Sequence, residues 1–255
     1  MKVRELLNED VELTLRKEII DWCFDRVQKG KLQFKMNVQS GVDTKPPHKV
    51  SCELVDFAKT AIFKNSLPVH FAQVDNYIAS DCKYLTDLNQ LRVDKVGSLN
   101  LIRAPLTSLN NCPSVKKIIL SSCPITSLKG LNPDVEQLTL SFCKDLLLLD
   151  EYLPKLKTLY APAAGLTSLK DIHKMIPNVE SLQINSNDIK SNILGLLMLR
   201  NLKWVIYSTG DATIDSETPD FIRACSILEK YLKNKDILEC QEELISNELK
   251  EYAKL

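Results

Sequence analysis

Glycine and histidine are scarce in this chain, with seven and three residues in 255. The glycines stand singly, which leaves no glycine-rich loop to cradle a phosphate. His48, His70 and His173 lie far apart. None stands at metal-ligand spacing with a cysteine or carboxylate; His48 and Cys52 are near each other but lack a second pair. The carboxylate pairs Asp150-Glu151 and Glu242-Glu243 read as solvated faces. An excess of one charge is missing too, since 33 basic residues balance 33 acidic ones. A neutral chain has no general pull toward nucleic acid or anionic lipid. No apolar run approaches the ~20 residues needed to span a bilayer. Met1 to Asp10 is charged and lacks the apolar centre of a secretory signal. These absences predict an intracellular protein, cytoplasmic or nuclear, without membrane contact. They also predict that it is not an enzyme and holds no metal and no cofactor.

Cysteine is not scarce. Eight cysteines would suit a disulfide framework in a short secreted chain, but Cys82, Cys123 and Cys143 recur at one position of an internal frame. Cys23, Cys52, Cys225 and Cys240 fall in predicted helices. This placement predicts buried reduced thiols acting as small hydrophobes.

The frame is apolar-x-x-apolar-x-apolar-x-x-small. It starts at Val74, Val96, Val115, Val135, Leu156, Val179 and Leu202, at spacings of 22, 19, 20, 21, 23 and 23 residues. Self-similarity at this period signals a solenoid, in which each unit buries its apolar face only by stacking on its neighbours. Positions 4 and 6 are two apart and so share one face of a strand. Further apolar positions follow at Leu106, Ile125, Leu166 and Ile189, then at Leu109, Leu128, Leu149 and Leu169. Pro113, Pro133, Pro154 and Pro177 each precede a frame by two residues, where a fixed φ and a missing N–H suit an extended segment outside the sheet.

These units resemble leucine-rich repeats over roughly Val69 to Gly210. The short period is similar to that of the class whose convex side is extended or 3₁₀. The phrases Asn111-Cys112-Pro113-Ser114-Val115 and Ser121-Ser122-Cys123-Pro124-Ile125-Thr126 also resemble, in part, the cysteine-containing repeats of F-box substrate receptors. The resemblance implies an α/β fold: a curved parallel sheet of about seven repeats with helical caps at both ends. Frame position 9, usually Asn in that architecture, is Asn only at Asn187; Cys or Ala stands there in most of the other units. The backbone groups that an Asn satisfies therefore need other partners.

Three regions follow: residues 1–68 as an N-terminal helix–strand–helix cap, 69–213 as the repeat domain and 214–255 as a C-terminal helical cap. In the first, Asn8 and Gly30 bound a helix carrying Val11, Leu15, Ile19, Trp22 and Cys23. Leu32 to Val38 alternates as a strand, and a loop follows. Ser51 then opens a second helix carrying Leu54, Phe57, Ala58, Ala61 and Ile62. In the last region Pro219 starts a helix with Phe221, Cys225, Leu228 and Leu232 on one stripe. A further helix carries Leu238, Leu244, Ile245, Leu249 and Tyr252.

Frame positions 3, 5, 7 and 8 face away from the core. Of these 28 residues only Asp81, Arg103 and Lys117 are charged, against about seven expected from a chain that is 26% charged. The candidate partner-binding residues on this concave face are Ile78, Asn100, Ile102, Lys117, Ile119, Thr139, Phe142, Tyr160, Gln183, Trp204 and Ile206. A charge-poor surface with aromatic anchors resembles the centre of a protein interface. It predicts a non-enzymatic module that binds a protein or peptide and makes no direct contact with nucleic acid. The alternatives are a substrate-recognition subunit of a cullin-type ubiquitin ligase, or a scaffold in a ribonucleoprotein complex.

Overall fold

Apolar residues spaced two apart become strands when a neighbouring strand can take their backbone hydrogen bonds, and here each unit supplies that neighbour for the next. A computed structural model describes residues 33–37, 51–56, 71–80, 85–91, 93–185, 189–207 and 219–254. They contain nine strands in one sheet, hydrogen-bonded in sequence order. The strands are β1 (Gln33–Asn37), β2 (Ser51–Asp56), β3 (Phe71–Ser80), β4 (Val93–Ile102), β5 (Ser114–Ser121), β6 (Gln137–Ser141), β7 (Thr158–Tyr160), β8 (Ser181–Gln183) and β9 (Trp204–Ile206). β1 and β2 are antiparallel, and from β2 onward every neighbour is parallel. A parallel neighbour requires a crossover, so the chain winds as a solenoid.

The register is continuous. Tyr77, Leu99, Ile118, Leu138, Leu159, Leu182 and Val205 pair in turn across β3 to β9. All are buried, as are the residues two positions on from Leu101 to Ile184. The crossovers close over this face with Leu106, Leu109, Ile125, Leu128, Leu146, Leu149, Leu166, Leu169 and Ile189, all buried in the same core. Burying one such side chain contributes about 1.5–3 kcal/mol. Among the described residues the crossovers hold only short turns: 3₁₀ segments at Leu88–Leu91 and Ile193–Leu196, and the single-turn helix α1 (Ile172–Met175).

The expected helix opening at Ser51 is corrected, because Ser51 to Asp56 is strand β2. It joins β1 to the sheet and pairs with β3. A short apolar segment such as Leu54-Val55 is ambiguous between helix and strand, and the open edge of β3 decides it. The expected strand at 32–38 appears as β1. The expected helix between Asn8 and Gly30, and residues 57–62 of the second, lie outside the described residues.

At the other end, α2 (Asp220–Tyr231) and α3 (Ile237–Ser246) pack on the last part of the solenoid. Cys225, Leu228, Cys240 and Leu244 are fully buried in the shared core. The Tyr252 hydroxyl donates to the Ile189 carbonyl at 3.1 Å, and the Asn192 N–H donates to the Glu251 carbonyl at 3.4 Å. The last helix is shorter than expected. Glu248 turns left-handed with φ 65, and the Leu249 N–H closes back on the Leu244 carbonyl. Leu249 and Tyr252 are therefore buried beyond the helix rather than on it, while Leu238 and Ile245 face solvent.

Candidate functional site

The residue after each strand sets how the outer sheet face is presented. Arg103, Ser122, Phe142 and Ala163, all at frame position 8, adopt positive φ between 51 and 57. This conformation costs a non-glycine residue roughly 1–2 kcal/mol. It recurs because it turns each N–H toward the next unit. Arg103, Ser122, Phe142 and Ala163 donate to the carbonyls of Ser121, Ser141, Pro162 and Asn185 at 2.8, 2.8, 3.1 and 3.0 Å. The same turn swings the position-8 side chain outward, leaving the Phe142 ring 55% exposed.

The missing Asn at position 9 has a substitute. The Cys123 thiol donates to the Leu101 carbonyl at 3.4 Å, and the Cys143 thiol to the Leu120 carbonyl at 3.6 Å. Burial pushes both thiols up, Cys143 to about 12, so they stay protonated and remain donors. All five described cysteines are free thiols. Such thiols are inert rather than nucleophilic.

The outer face carries two aligned rows. One runs Asn100, Ile119, Thr139, Tyr160, Gln183, Ile206; the other contains Ser98, Lys117, Gln137, Thr158, Ser181 and Trp204. The structure therefore gathers the candidate residues on one surface, but it does not present them equally. Asn100, Ile102, Ile119, Thr139 and Gln183 are half-buried, and Lys117 is exposed. The Gln183 amide donates to Asn185 Oδ1 at 2.8 Å. The Ile78 side chain lies outside the described residues. On this face, among the described residues, the exposed large apolar side chains are Phe142, Tyr160 (38%), Trp204 (64%) and Ile206, from the end of β6 to β9; others, such as Leu147, Leu148 and Tyr152, stand on the crossovers.

Beside these rows stands a feature that the outward positions do not reveal. Frame position 2 alternates in sign through Lys116, Glu136, Lys157, Glu180 and Lys203. Lys116 pairs with Glu136 at 3.0 Å and Lys203 with Glu180 at 2.6 Å. The paired lysines hold the carboxyls of Glu136 and Glu180 below their ordinary range. Glu136, Lys157, Glu180 and Lys203 of this ladder line, with Trp204, a shallow open depression of about 330 Å³. The alternation is visible in the sequence once position 2 is tabulated with the others.

The chain matches no protein-family model, no curated protein and no solved structure. Its chemistry must be read from these residues alone. Among the described residues no group of three or more His, Cys, Asp or Glu is placed to hold a metal ion. Among them, too, no helix is long and apolar enough to cross a membrane. Asp150 and Glu151, expected to be simply solvated, instead hold the preceding crossover. Asp150 accepts from the Ser127 hydroxyl and, at 2.7 Å, from the Leu128 N–H; Glu151 accepts from the Gly130 N–H at 3.0 Å.

Proposed function

We propose that this chain is a non-enzymatic interaction module of the leucine-rich repeat type, with about seven repeats and helical caps, which binds a protein or peptide on the concave face of its sheet. The supporting observation is the exposure of Phe142, Tyr160, Trp204 and Ile206 on a face whose charged members, among the described residues, are only Arg103 and Lys117. Exposed aromatic side chains on one sheet face are suited to anchoring a partner. Large rings bury much area and lose little rotamer freedom. The partner then lies mainly over β6 to β9, a narrower footprint than the full row of candidate residues. Tyr160→Ala and Phe142→Asp are expected to abolish capture of a binding partner from native extract while leaving the circular dichroism spectrum unchanged. Undiminished capture by both variants overturns this reading.

A further inference from the structure

The depression beside Trp204 does not end at β9. Glu180 and Lys203 also border a second cleft of about 590 Å³, where the last described turn of the solenoid meets the segment joining α2 to α3. Arg200 and Lys203 come from the solenoid side, Lys233 and Lys235 from the helix side. Four cationic residues thus border a cleft with one carboxylate, that of Glu180, which Lys203 already pairs at 2.6 Å, leaving Arg200, Lys233 and Lys235 without a carboxylate in the lining. Lysines at a helix C-terminus offset the helix dipole, which accounts for Lys233 and Lys235 beyond α2. It does not account for Arg200 and Lys203, which belong to another element. In a neutral chain this convergence is local rather than compositional.

Lys235 is the half-buried member. Its backbone is left-handed, with φ 58, and its ammonium reaches the Leu202 carbonyl at 3.4 Å. Desolvation lowers its pKa, so it stands to gain from an added negative charge. Arg200 and Lys233 are exposed and free to turn toward a ligand. The neighbouring surface offers the exposed Trp204 indole, which suits an apolar side chain.

We propose that Arg200, Lys203, Lys233 and Lys235 form an anion-recognition cleft for the carboxylates of an acidic protein segment whose apolar residues lie on Trp204. The proposal rests on the sheet face being the binding surface and adds the charge of its partner. An acidic peptide fits better than a nucleic acid. Glu180 stands among the cations of the cleft, so a phosphate backbone with a charge at every unit meets repulsion there that a segment with spaced carboxylates avoids. A positive cleft also steers an acidic partner during encounter.

The test uses three labelled probes with the full chain: a 20-residue peptide alternating Glu with Leu and Phe, its counterpart with Lys for Glu, and a 20-nucleotide oligouridine. The acidic peptide is expected to bind, more weakly as salt rises, and the basic one not to bind. The exposed-site double variant Arg200→Glu, Lys233→Glu is expected to weaken the acidic peptide at least tenfold, and Trp204→Ala to weaken it in both low and high salt. No binding of the acidic peptide, equal binding of the basic one, or tighter binding of oligouridine overturns the proposal. So does a charge-reversed variant that binds normally. If that variant binds normally while Trp204→Ala fails, the cleft is wrong and the sheet-face reading stands. If charge reversal abolishes binding while Trp204→Ala has no effect, the cleft stands and the sheet-face reading fails.

Discussion

Four non-glycine residues in the left-handed region, one after each of four successive strands, make position 8 a place where conformational strain is exchanged for inter-unit hydrogen bonds. The exchange is testable. Ser122→Gly relieves the strain, keeps the N–H donor and is expected to raise stability by about 0.5–1 kcal/mol in urea unfolding, net of glycine's entropy cost. Gly165→Ala is expected to act oppositely, costing about 2 kcal/mol or more. Gly165 has φ 82, and an added Cβ would lie 2.1 Å from the Lys144 carbonyl oxygen. Glycine at 165 is the residue type that signals such a backbone, but the position-8 residues could not be assigned one from residue type alone. Serine, phenylalanine and alanine do not advertise it, and only the pairing of successive units requires it.

Among the elements, the crossovers are held more by side-chain hydrogen bonds to backbone than by helix formation. Ser108, Ser127 and Ser168 each accept from the N–H two residues on, closing a tight turn. Asp150 then braces the Ser127 turn from the following unit. Asp150→Ala leaves a partly buried N–H and a hydroxyl unsatisfied and is expected to cost about 1–3 kcal/mol by chemical denaturation. A loss under about 0.3 kcal/mol excludes that bracing role. The strands of the frame were legible because their apolar spacing and their burial are the same fact. The identity of β2 was not, since Ser51 to Asp56 satisfies either periodicity and the free edge of β3 decides it. The end of α3 is not legible in the sequence for a related reason. Leu249 and Tyr252 continue the apolar stripe, yet they reach the core through a left-handed turn at Glu248.

At the scale of the molecule, the described residues share one core that runs from the sheet through the crossovers into α2 and α3. Stability in such a stack is close to a sum of unit and nearest-neighbour terms. Its buried thiols give this core a pH limit. Burial raises the pKa of Cys112 to about 11 and those of Cys143 and Cys240 to about 12. An unfolded thiol ionises near pH 8.5. The unfolded chain therefore loses these protons first as pH rises. The contribution of the neutral thiols is complete below about pH 8.5 and is lost as pH climbs toward 12. Thermal melts are expected to show a falling midpoint from about pH 9 upward. The fall should be shallower in Cys143→Ala than in the parent chain, and identical slopes would refute the assignment.

By itself the sequence determined the solenoid, the register of β3 to β9 and the core residues that those strands and their crossovers supply. All three follow from a periodic apolar pattern, and periodicity is local information that survives in one dimension. It also placed the candidate anchors on one face, because side chains alternate along a strand. Tertiary structure alone decided which of those anchors stand exposed and which are half-buried. It alone gave frame position 9 its thiol donors at Cys123 and Cys143, and it brought Arg200 and Lys203 against Lys233 and Lys235. Those facts depend on distances between residues roughly twenty to thirty positions apart. Chain winding sets such distances, and no local pattern encodes them.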